Sequence, residues 1–288
     1  MTSEYMNNHQ PLLLGIDGGA SKTILRLEDS AGNLLGEVTT GPANIQLDCK
    51  RAWQSILEGL NQLKSAAGSP IYAVAGVAGT EVPEALATFL ATPHPFAKLT
   101  VLSDAELACV AAHGGKDGGI VVAGTGMIAL KRVQGQVKRI SGWGFPHDDE
   151  GGGAWLGLQA VRATLQWLDG RAEPSALAEA VHGHFKCSQA QLVTWATQAN
   201  ATAYATLAPL VVQAAGEGDG AAILLLKQAA HIVETLIMRL DLADLPMALM
   251  GGLACYLQPY LSPMLQGKLT QSLLSPQAGA VLLARRVP

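Results

Sequence analysis

Residues 15–23 read GIDGGASKT, and the fold depends on whether this stretch is a P-loop or a different phosphate-binding turn. A P-loop carries glycine directly before its Lys-Thr pair and opens a helix. Here Ser21 precedes Lys22, and the residues that follow, TILRLED, alternate apolar and polar side chains with the two-residue period of a strand. We therefore predict that the glycines lie at the tip of a strand–turn–strand hairpin. Backbone N–H groups at such a tip can bind phosphate, and an ordinary β-turn is an equally good interpretation of this stretch alone.

A second stretch of the same shape opens the other half of the chain. In IVVAGTGMIALKR (120–132), an apolar run enters a Gly-Thr-Gly tip and a second apolar run leaves it, and QGQVKRISG then reads as a third strand. Two hairpins of this kind, one opening each half, predict a duplicated architecture with a cleft between the halves.

Strand and helix patterns alternate around these hairpins. Strands are predicted at 71–79 and 99–104, with helices before, between and after them, and this alternation predicts a largely parallel sheet covered by helices. The glycine-rich GKDGG at 115–119 is the predicted domain boundary, which gives an N-terminal domain of residues 1–115 and a C-terminal domain of residues 116–288. The second domain is predicted to be mostly helical after its first strands, and the final helix could return to the N-terminal domain.

Composition excludes several classes of protein. Of the 288 residues 49% are hydrophobic and 15% are charged, which predicts a large core and a folded chain. The net charge of −4 gives no basic surface for nucleic acid. The four cysteines are scattered without a C-x-x-C pair, so we expect reduced thiols in the cytoplasm and neither a zinc site nor an iron–sulfur cluster. The polar first ten residues lack the apolar region of a signal peptide, and the apolar runs are too short for a membrane helix.

Three glycine clusters at predicted strand ends point to a nucleotide phosphate site. They are Gly18-Gly19, Gly124-Thr125-Gly126 and Gly251-Gly252. Thr125 could donate a hydroxyl hydrogen bond to phosphate, whereas Lys22 is better interpreted as a solvated flanking charge. Asp17 ends the first strand and could hold Mg²⁺ through water, or it could simply form the turn.

Asp104 ends the apolar strand LTVLSD and precedes a helix. It could be the N-cap of that helix. It could also be a general base, because open α/β folds bind ligands at the carboxyl ends of their strands and phosphoryl transfer to an alcohol needs a carboxylate to accept the hydroxyl proton.

The segment SGWGFPHDDEGGGAWLG (141–157) is the most unusual in the chain. It places three consecutive acids after Gly-Trp-Gly and before three glycines. Carboxylates beside an aromatic face could bind a sugar, and a solvated acidic loop is the alternative. His147 could ligate a metal or pair with a charge, but a lone histidine more often does neither. Asn44 in GPAN is either a turn residue or an amide contact to a polar ligand.

Taken together and in this order, the motifs GIDGGASKT, GPAN, LSDAE, VAGTGM, GWGFPHDDEG and MGGL resemble the N-acetylglucosamine kinase and glucosamine kinase branch of the BadF/BadG/BcrA/BcrD ATPase family. The resemblance spans roughly residues 12–285. It implies an α/β, two-lobed ribonuclease-H-like fold, the actin-like ATPase fold, with a nucleotide and sugar cleft between the lobes.

The resemblance also implies roles for individual residues. Asp104 would be the catalytic base, and Asp17 would lie near Mg²⁺, bridged to it by water. The ATP-binding positions would be Asp17, Gly18, Gly19, Thr23, Gly124, Thr125, Gly126, Gly251 and Gly252. The sugar-binding positions would be Asn44, Gly79, Thr80, Asp104, Gly142, Trp143, Gly144, Asp149 and Glu150. The implied partners are a small amino sugar and a second copy of the chain as a homodimer, with neither nucleic acid nor membrane.

The sequence departs from the family pattern at two places. Ala20-Ser21 replaces a Gly-Thr pair, and Met127 replaces the serine that usually follows Gly-Thr-Gly, so a hydroxyl contact at position 127 is excluded. The lack of clustered cysteines also argues against the related dehydratase activators and the zinc-containing sugar kinases.

The resulting prediction is an ATP- and Mg²⁺-dependent kinase that phosphorylates the 6-hydroxyl of N-acetylglucosamine or glucosamine. One alternative is a catalytically weak sugar-sensing regulator of the same fold. A DNA-binding version of that regulator is not expected, because only about a dozen residues precede the first strand. Another alternative is a kinase for N-acetylmuramate or a plain hexose.

Overall fold

A computed structural model describes residues 10–63 and 68–286, so most of the polar N-terminal stretch lies outside the described residues. The strands are β1 (Leu12–Gly18), β2 (Thr23–Glu28), β3 (Leu34–Thr40), β4 (Ile71–Val77), β5 (Lys98–Ser103), β6 (Gly118–Ala123), β7 (Met127–Val133), β8 (Gln136–Ser141) and β9 (Met247–Met250). The helices are α1 (Cys49–Gln62), α2 (Pro83–Ala91), α3 (Asp104–Ala112), α4 (Gly153–Leu168), α5 (Ala176–Phe185), α6 (Gln189–Gln198), α7 (Ala201–Ala205), α8 (Ala208–Gly216), α9 (Gly220–Leu240), α10 (Ala254–Leu257), α11 (Pro263–Gln266) and α12 (Pro276–Ala284).

The chain divides into two compact units. Unit 1 contains residues up to 117 together with the C-terminal residues from 272, and unit 2 contains residues 118–271. Each unit is built on one mixed sheet with helices, which makes the fold α/β as predicted.

Unit 1 has a five-stranded sheet in the order β3-β2-β1-β4-β5. The predicted first hairpin is confirmed, since β1 and β2 pair antiparallel with Gly18 opposite Thr23, while β1, β4 and β5 run parallel. One face of the sheet buries Leu14 and Ile16 of β1 with side chains of α1 and α2. Leu13 on the opposite face packs with α3 and α12.

The last helix, α12, lies directly on the first strand of unit 1. A Cβ atom at Gly15 would come within 3.0 Å of Val281 Cγ2 and closer still to the carbonyl oxygen of Gln277. Glycine at position 15 is therefore required by this close approach of helix and strand.

Unit 2 has a four-stranded sheet in the order β8-β7-β6-β9. The second predicted hairpin is confirmed by the antiparallel pairing of β6 with β7, and the predicted third strand is β8. β9 pairs parallel with β6, which brings the predicted Gly-Gly turn after β9 beside the Gly-Thr-Gly tip after β6. Helices α4, α5, α8 and α9 contribute most of the remaining buried core.

Helix α9 is, by length and composition, long and apolar enough to cross a membrane. The sequence-based expectation concerned uninterrupted apolar runs, and in α9 such runs are separated by polar residues such as Lys227, His231 and Glu234. The buried side chains along α9, such as Leu226, Val233, Ile237 and Leu240, belong to the core of unit 2. A core helix meets the same length and composition criteria, so α9 is weak evidence for a membrane span.

Candidate active site

Three loops of unit 1 meet at the carboxyl ends of its parallel strands. The N–H of Ala78 donates to the carbonyl of Gly18 at 2.9 Å, and the N–H of Ala43 donates to the carbonyl of Gly19 at 2.9 Å. The N–H of Ile45 in turn donates to the Ala78 carbonyl at 2.9 Å. The loop after β1, the GPAN segment and the loop after β4 are therefore bonded to one another. Sequence positions far apart in the chain become neighbours here.

The first hairpin tip is exposed and tightly closed. The N–H of Gly19 donates to the carbonyl of Lys22 at 2.9 Å, which leaves Ala20, Ser21 and Lys22 exposed at the turn. Gly18 is required by packing, because a Cβ there would lie 2.9 Å from the Cβ of Ala43. An exposed turn of this kind suits a backbone phosphate contact.

Thr23 does not lie on the exposed tip. Its side chain is fully buried, and its hydroxyl donates to the carbonyl of Gly41 at 2.7 Å. The hydroxyl therefore already has a partner inside the fold. The position can contribute to the phosphate turn only through its main chain.

Asp17 and Asp104 form an electrostatically coupled carboxylate pair in unit 1. Asp17 is at the end of β1, and Asp104 is the first residue of α3, directly after β5. Burial, and then the negative charge of Asp104, raise the pKa of Asp17 from 3.8 to about 6, while Lys22 lowers it. The two carboxylates are thus close enough to disfavour simultaneous ionisation.

Asp104 is not the N-cap of α3. That position belongs to Ser103, whose hydroxyl accepts from the N–H of Glu106 at 3.0 Å. One carboxylate oxygen of Asp104 accepts from the N–H of Ala105 at 2.8 Å. Because Ser103 already caps the helix, the simplest structural explanation for a carboxylate at position 104 is removed.

Asn44 and the residues of the β4 loop lie next to each other. The Asn44 side-chain oxygen accepts from the N–H groups of Gln46 at 3.1 Å and Leu47 at 3.2 Å, so the turn interpretation holds for this oxygen. Its amide nitrogen is the group that could donate to a ligand. Gly79 has φ of 89°, and a Cβ there would lie 2.8 Å from the Asn44 oxygen. Thr80 follows and is partly buried.

In unit 2, the Gly-Thr-Gly tip rests on the start of α4. The N–H groups of Gly153 and Ala154 donate to the carbonyls of Gly124 at 2.8 Å and Thr125 at 2.9 Å. A Cβ at Gly152 would lie 2.6 Å from the carbonyl carbon of Gly126. The glycines after the acidic triplet are therefore needed to bring α4 against the second hairpin.

Asp149 joins the second hairpin to the Gly-Trp-Gly loop. Its carboxylate lies against Gly126 and accepts hydrogen bonds from the main chains of Met127 and Gly144. Burial is the largest cause of a raised pKa at Asp149, and the two backbone hydrogen bonds oppose it. The Met127 side chain is buried in the core, so this departure from the family pattern affects packing and leaves the main-chain contact in place.

The Gly-Trp-Gly loop has an unusual backbone that neighbouring side chains hold in place. Ser141, Gly142 and Gly144 have φ of 62°, 81° and 102°. Asp148 accepts from the Trp143 N–H at 2.8 Å and from the Ser141 hydroxyl at 3.1 Å. The Arg139 guanidinium lies 4.4 Å from the centroid of the Trp143 ring, which remains 74% exposed. The loop thus presents an aromatic ring with fixed surroundings.

Glu150 is exposed and lines two shallow cavities in unit 2, one with Trp143 and Asp148 and the other with Lys227 and His231. His147, which lies between Trp143 and Asp148 in the sequence, is also exposed. The acidic triplet therefore has two roles, since Asp148 and Asp149 accept hydrogen bonds from the loop and Glu150 faces solvent.

A cavity of about 670 Å³ lies within unit 2 beside the second hairpin. This volume falls within the roughly 300–1,000 Å³ typical of ligand pockets. Its walls come from the second hairpin, the Gly-Gly turn and helices α7 and α8, and the lining residues are Gly124, Thr125, Gly153, Ala205, Ala208, Pro209, Val212, Gln213, Gly252, Leu253 and Tyr256. Sequence reasoning placed the glycines but missed the wall from α7 and α8, because small apolar residues on short helices carry no motif.

Gly251 and Gly252 have different roles in this cavity. Gly251 has φ of 93°, and a Cβ there would lie 2.6 Å from the carbonyl carbon of Ala123. Gly252 has no atom within 4 Å of such a Cβ and lines the cavity. The first glycine therefore lets the β9 turn approach β6, and the second leaves space.

The carboxylates of unit 1 fit a magnesium ion better than a metal that is coordinated only by protein side chains. Among the described residues, no group of three His, Cys, Asp or Glu side chains could hold a metal ion. Mg²⁺ usually needs only one or two carboxylates together with waters and substrate phosphates. Asp17, with its pKa raised partly by a second carboxylate, matches that donor set.

Comparison with known proteins identifies the relatives of this chain. The profile of the BadF/BadG/BcrA/BcrD ATPase family matches residues 14–284. Glucosamine kinase GspK of Vibrio cholerae is 33% identical over 275 residues, 93% of this chain and 92% of that protein. An N-acetylmuramic acid/N-acetylglucosamine kinase of Clostridium acetobutylicum is 32% identical over 231 residues, 76% of each chain.

A solved structure shares nearly the whole fold. It is a proposed N-acetylglucosamine kinase from Chromobacterium violaceum, with 33% identity and a TM-score of 0.89, covering 95% of this chain and 99% of that one. These matches confirm the predicted family, the predicted fold and the predicted enzyme class, an ATP-dependent kinase.

Proposed function

This chain belongs to the BadF/BadG/BcrA/BcrD ATPase family, and we propose that it transfers the terminal phosphoryl group of ATP to the 6-hydroxyl of glucosamine or N-acetylglucosamine. The relatives named for amino-sugar phosphorylation support this substrate class. The observation that carries the proposal is the carboxylate pair of Asp17 and Asp104 at the strand ends of unit 1. A second copy of the chain and a cytoplasmic location remain predictions from the sequence.

Asp104 is the proposed catalytic base. Its carboxylate accepts the proton of the sugar hydroxyl while the hydroxyl oxygen forms a bond to the terminal phosphorus of ATP and the bond from that phosphorus to ADP breaks. Ser103 already caps α3, so the Asp104 side chain is not needed to start the helix. The negative charge of Asp104 lies close enough to Asp17 to contribute, after burial, to the raised pKa of Asp17, so the proposed base and the proposed Mg²⁺ contact lie in one electrostatic environment.

The phosphate chain and the adenosine have separate proposed positions. The exposed turn at Gly19 and the Gly-Thr-Gly tip offer backbone N–H groups, and the Thr125 hydroxyl offers a further donor. The apolar cavity beside that tip is of suitable size for the adenosine. Asp17 would hold Mg²⁺, which when bound offsets negative charge on the transferred group.

Each unit has its own set of proposed sugar-binding residues. In unit 1 these are Asn44, through its amide nitrogen, with Gly79 and Thr80. In unit 2 they are the Gly142–Gly144 loop, with Trp143 as an apolar platform, and Asp149 and Glu150. Because Asp149 already accepts two backbone hydrogen bonds, its first role is to fix the Trp143 loop, and any sugar contact uses its remaining acceptor capacity.

The experiment that tests the function is sugar-dependent ADP release. Purified protein with ATP and Mg²⁺ is assayed with glucosamine, N-acetylglucosamine, N-acetylmuramate, glucose and no sugar. A large rise with one amino sugar is expected, and the position of the new phosphate is read from the product by NMR. Sugar binding without ADP release from any of them would contradict the kinase and favour a sugar-sensing regulator.

A further inference from the structure

One polar side chain on helix α8 lines the cavity of unit 2 and is oriented by a neighbour. Gln213 lines that cavity, and its amide nitrogen donates to a carboxylate oxygen of Glu217 at 2.9 Å, one turn further along the helix. A carboxylate can only accept hydrogen bonds, so the chemistry fixes which end of the Gln213 amide is used. The amide oxygen is left as the group that can meet a ligand, and it is an acceptor.

The other polar side chains that line the cavity, Thr125 and Tyr256, come from the second hairpin and from α10, not from α7 or α8. Thr125 belongs to the second hairpin and is proposed to meet phosphate. The remaining wall from α7 and α8 is made of Ala205, Ala208, Pro209 and Val212, none of which has a polar side chain. On that wall, only Gln213 has a side chain that can form a hydrogen bond with a purine ring.

We infer that Gln213 is a specificity-determining residue for the nucleobase, with Glu217 as the residue that positions it. The Gln213 oxygen accepts a hydrogen bond from the 6-amino group of adenine. Guanine carries an oxygen acceptor at that position, so two acceptors would face each other. This inference rests on the proposed function, because it takes the cavity as the adenosine site.

A purely structural role makes a different prediction. A Gln and a Glu one turn apart on an exposed helix face stabilise that helix only slightly, and to the same extent whatever the ligand. The chain offers a matched pair for comparison: the Gln54 amide nitrogen donates to Glu58 at 2.8 Å on α1, in unit 1. If Gln213 and Glu217 act only on helix stability, the two pairs should behave alike.

The experiment measures kcat/KM for three nucleotides at saturating amino sugar. ATP, purine riboside triphosphate (which lacks the 6-amino group) and GTP are compared in the wild type, Gln213→Met and Glu217→Gln. Wild type should favour ATP over purine riboside triphosphate by about fivefold to tenfold, the size of one neutral hydrogen bond. Gln213→Met should lose that preference, with the KM for the sugar unchanged.

Glu217→Gln gives a sharper test of orientation. A glutamine at 217 can donate to the Gln213 oxygen, which turns the Gln213 amide nitrogen toward the cavity. The GTP-to-ATP ratio of kcat/KM should then rise by about fivefold or more, since a donor now faces the 6-oxygen of guanine. Gln54→Met and Glu58→Gln should leave every ratio unchanged.

The outcomes separate this inference from the proposed function. If Gln213→Met folds and phosphorylates sugar but keeps the full ATP preference of the wild type, the inference is overturned. If the wild type uses no nucleotide with any amino sugar, the proposed function fails first. Melting temperatures of all four variants, measured without nucleotide, confirm that the ratios compare folded proteins.

Discussion

Asp17 and Asp104, which are 87 positions apart in the sequence, interact as like charges at the ends of β1 and β5, two strands of unit 1 that β4 separates, and this interaction adds to burial in raising the pKa of Asp17 to about 6. Parallel pairing causes the meeting, because β1, β4 and β5 run in the same direction and deliver their carboxyl ends to one edge. Two carboxylates at one edge suit a hydroxyl substrate and a divalent cation.

The first prediction concerns catalysis by Asp104. Asp104→Asn removes the group that accepts the hydroxyl proton but keeps nearly the same size. We expect kcat to fall by about 10²–10⁴-fold, the usual contribution of a general base, with sugar affinity within a few-fold of wild type. Steady-state ADP release and calorimetric sugar binding measure the two quantities.

The control for Asp104→Asn is Asp48→Asn in the same unit. Asp48 is the N-cap of α1 and accepts from the Arg51 N–H at 2.8 Å, and asparagine caps helices as well as aspartate. It should keep full activity. Near-normal turnover in Asp104→Asn would mean that another group takes the proton.

The second prediction concerns stability and pH. Because the folded protein holds the Asp17 proton more tightly than the unfolded chain does, this group stabilises the fold fully below pH 3.8, and the contribution is lost as the pH rises to about 6. Asp17→Asn should therefore be more stable than wild type at pH 7 and less dependent on pH between 4 and 6. It should also lose kinase activity, since the proposed Mg²⁺ contact is gone.

Denaturant unfolding at a series of pH values measures this difference. Asp29→Asn is a suitable control, because hydrogen bonds from Asn33 lower the pKa of that exposed carboxyl instead. If the stability of Asp17→Asn falls below that of wild type at pH 7, the carboxylate stabilises the fold through contacts that outweigh its burial.

The third prediction concerns the contact between the second hairpin and α4. A Cβ at Gly152 would lie 2.6 and 2.8 Å from backbone carbon and oxygen of Gly126, and backbone atoms cannot move aside cheaply. Gly152→Ala should destabilise the fold by about 1–3 kcal/mol, as overpacking does, and raise the KM for ATP because the Gly-Thr-Gly tip shifts.

Gly183→Ala on α5 is the matched control. Nothing lies within 4 Å of its Cβ, so alanine should stabilise the helix by about 0.5–1 kcal/mol. Thermal unfolding of the two variants should shift in opposite directions. Equal melting temperatures would show that the hairpin and helix can separate without cost.

The fourth prediction concerns the loop that carries Trp143. Asp148→Asn removes the negative charge and one of the two acceptor oxygens that hold the Trp143 N–H and the Ser141 hydroxyl. We expect the KM for the amino sugar to rise by about tenfold, because the loop is less well ordered once one or two charge-assisted hydrogen bonds are weakened. The change in kcat should be smaller.

Trp143→Ala should raise the sugar KM as well, and combining it with Asp148→Asn should add little, because both act through the same ring. Sugar titrations of intrinsic fluorescence in the single variants report binding apart from turnover. An unchanged KM in both variants would remove the Gly-Trp-Gly loop from the sugar site.

Local patterns in the sequence determined the two glycine-tipped hairpins, since period-two alternation and glycine turns act over a few residues. GIDGGASKT was predicted as a hairpin tip, and β1 and β2 have that arrangement. The motif order also determined the family. In each case the information lies in neighbouring positions of the chain or in their order.

Only the tertiary structure decided which residues act together at a distance. It showed that Ser103, and not Asp104, caps α3, that Thr23 is buried, and that Asp148 and Asp149 bond the Trp143 loop. It also showed that α7 and α8 form one wall of the cavity, which no sequence motif had predicted. The physical reason is that burial, hydrogen-bond partners and like-charge proximity depend on which strand ends and helix ends meet, and a linear sequence does not contain those distances.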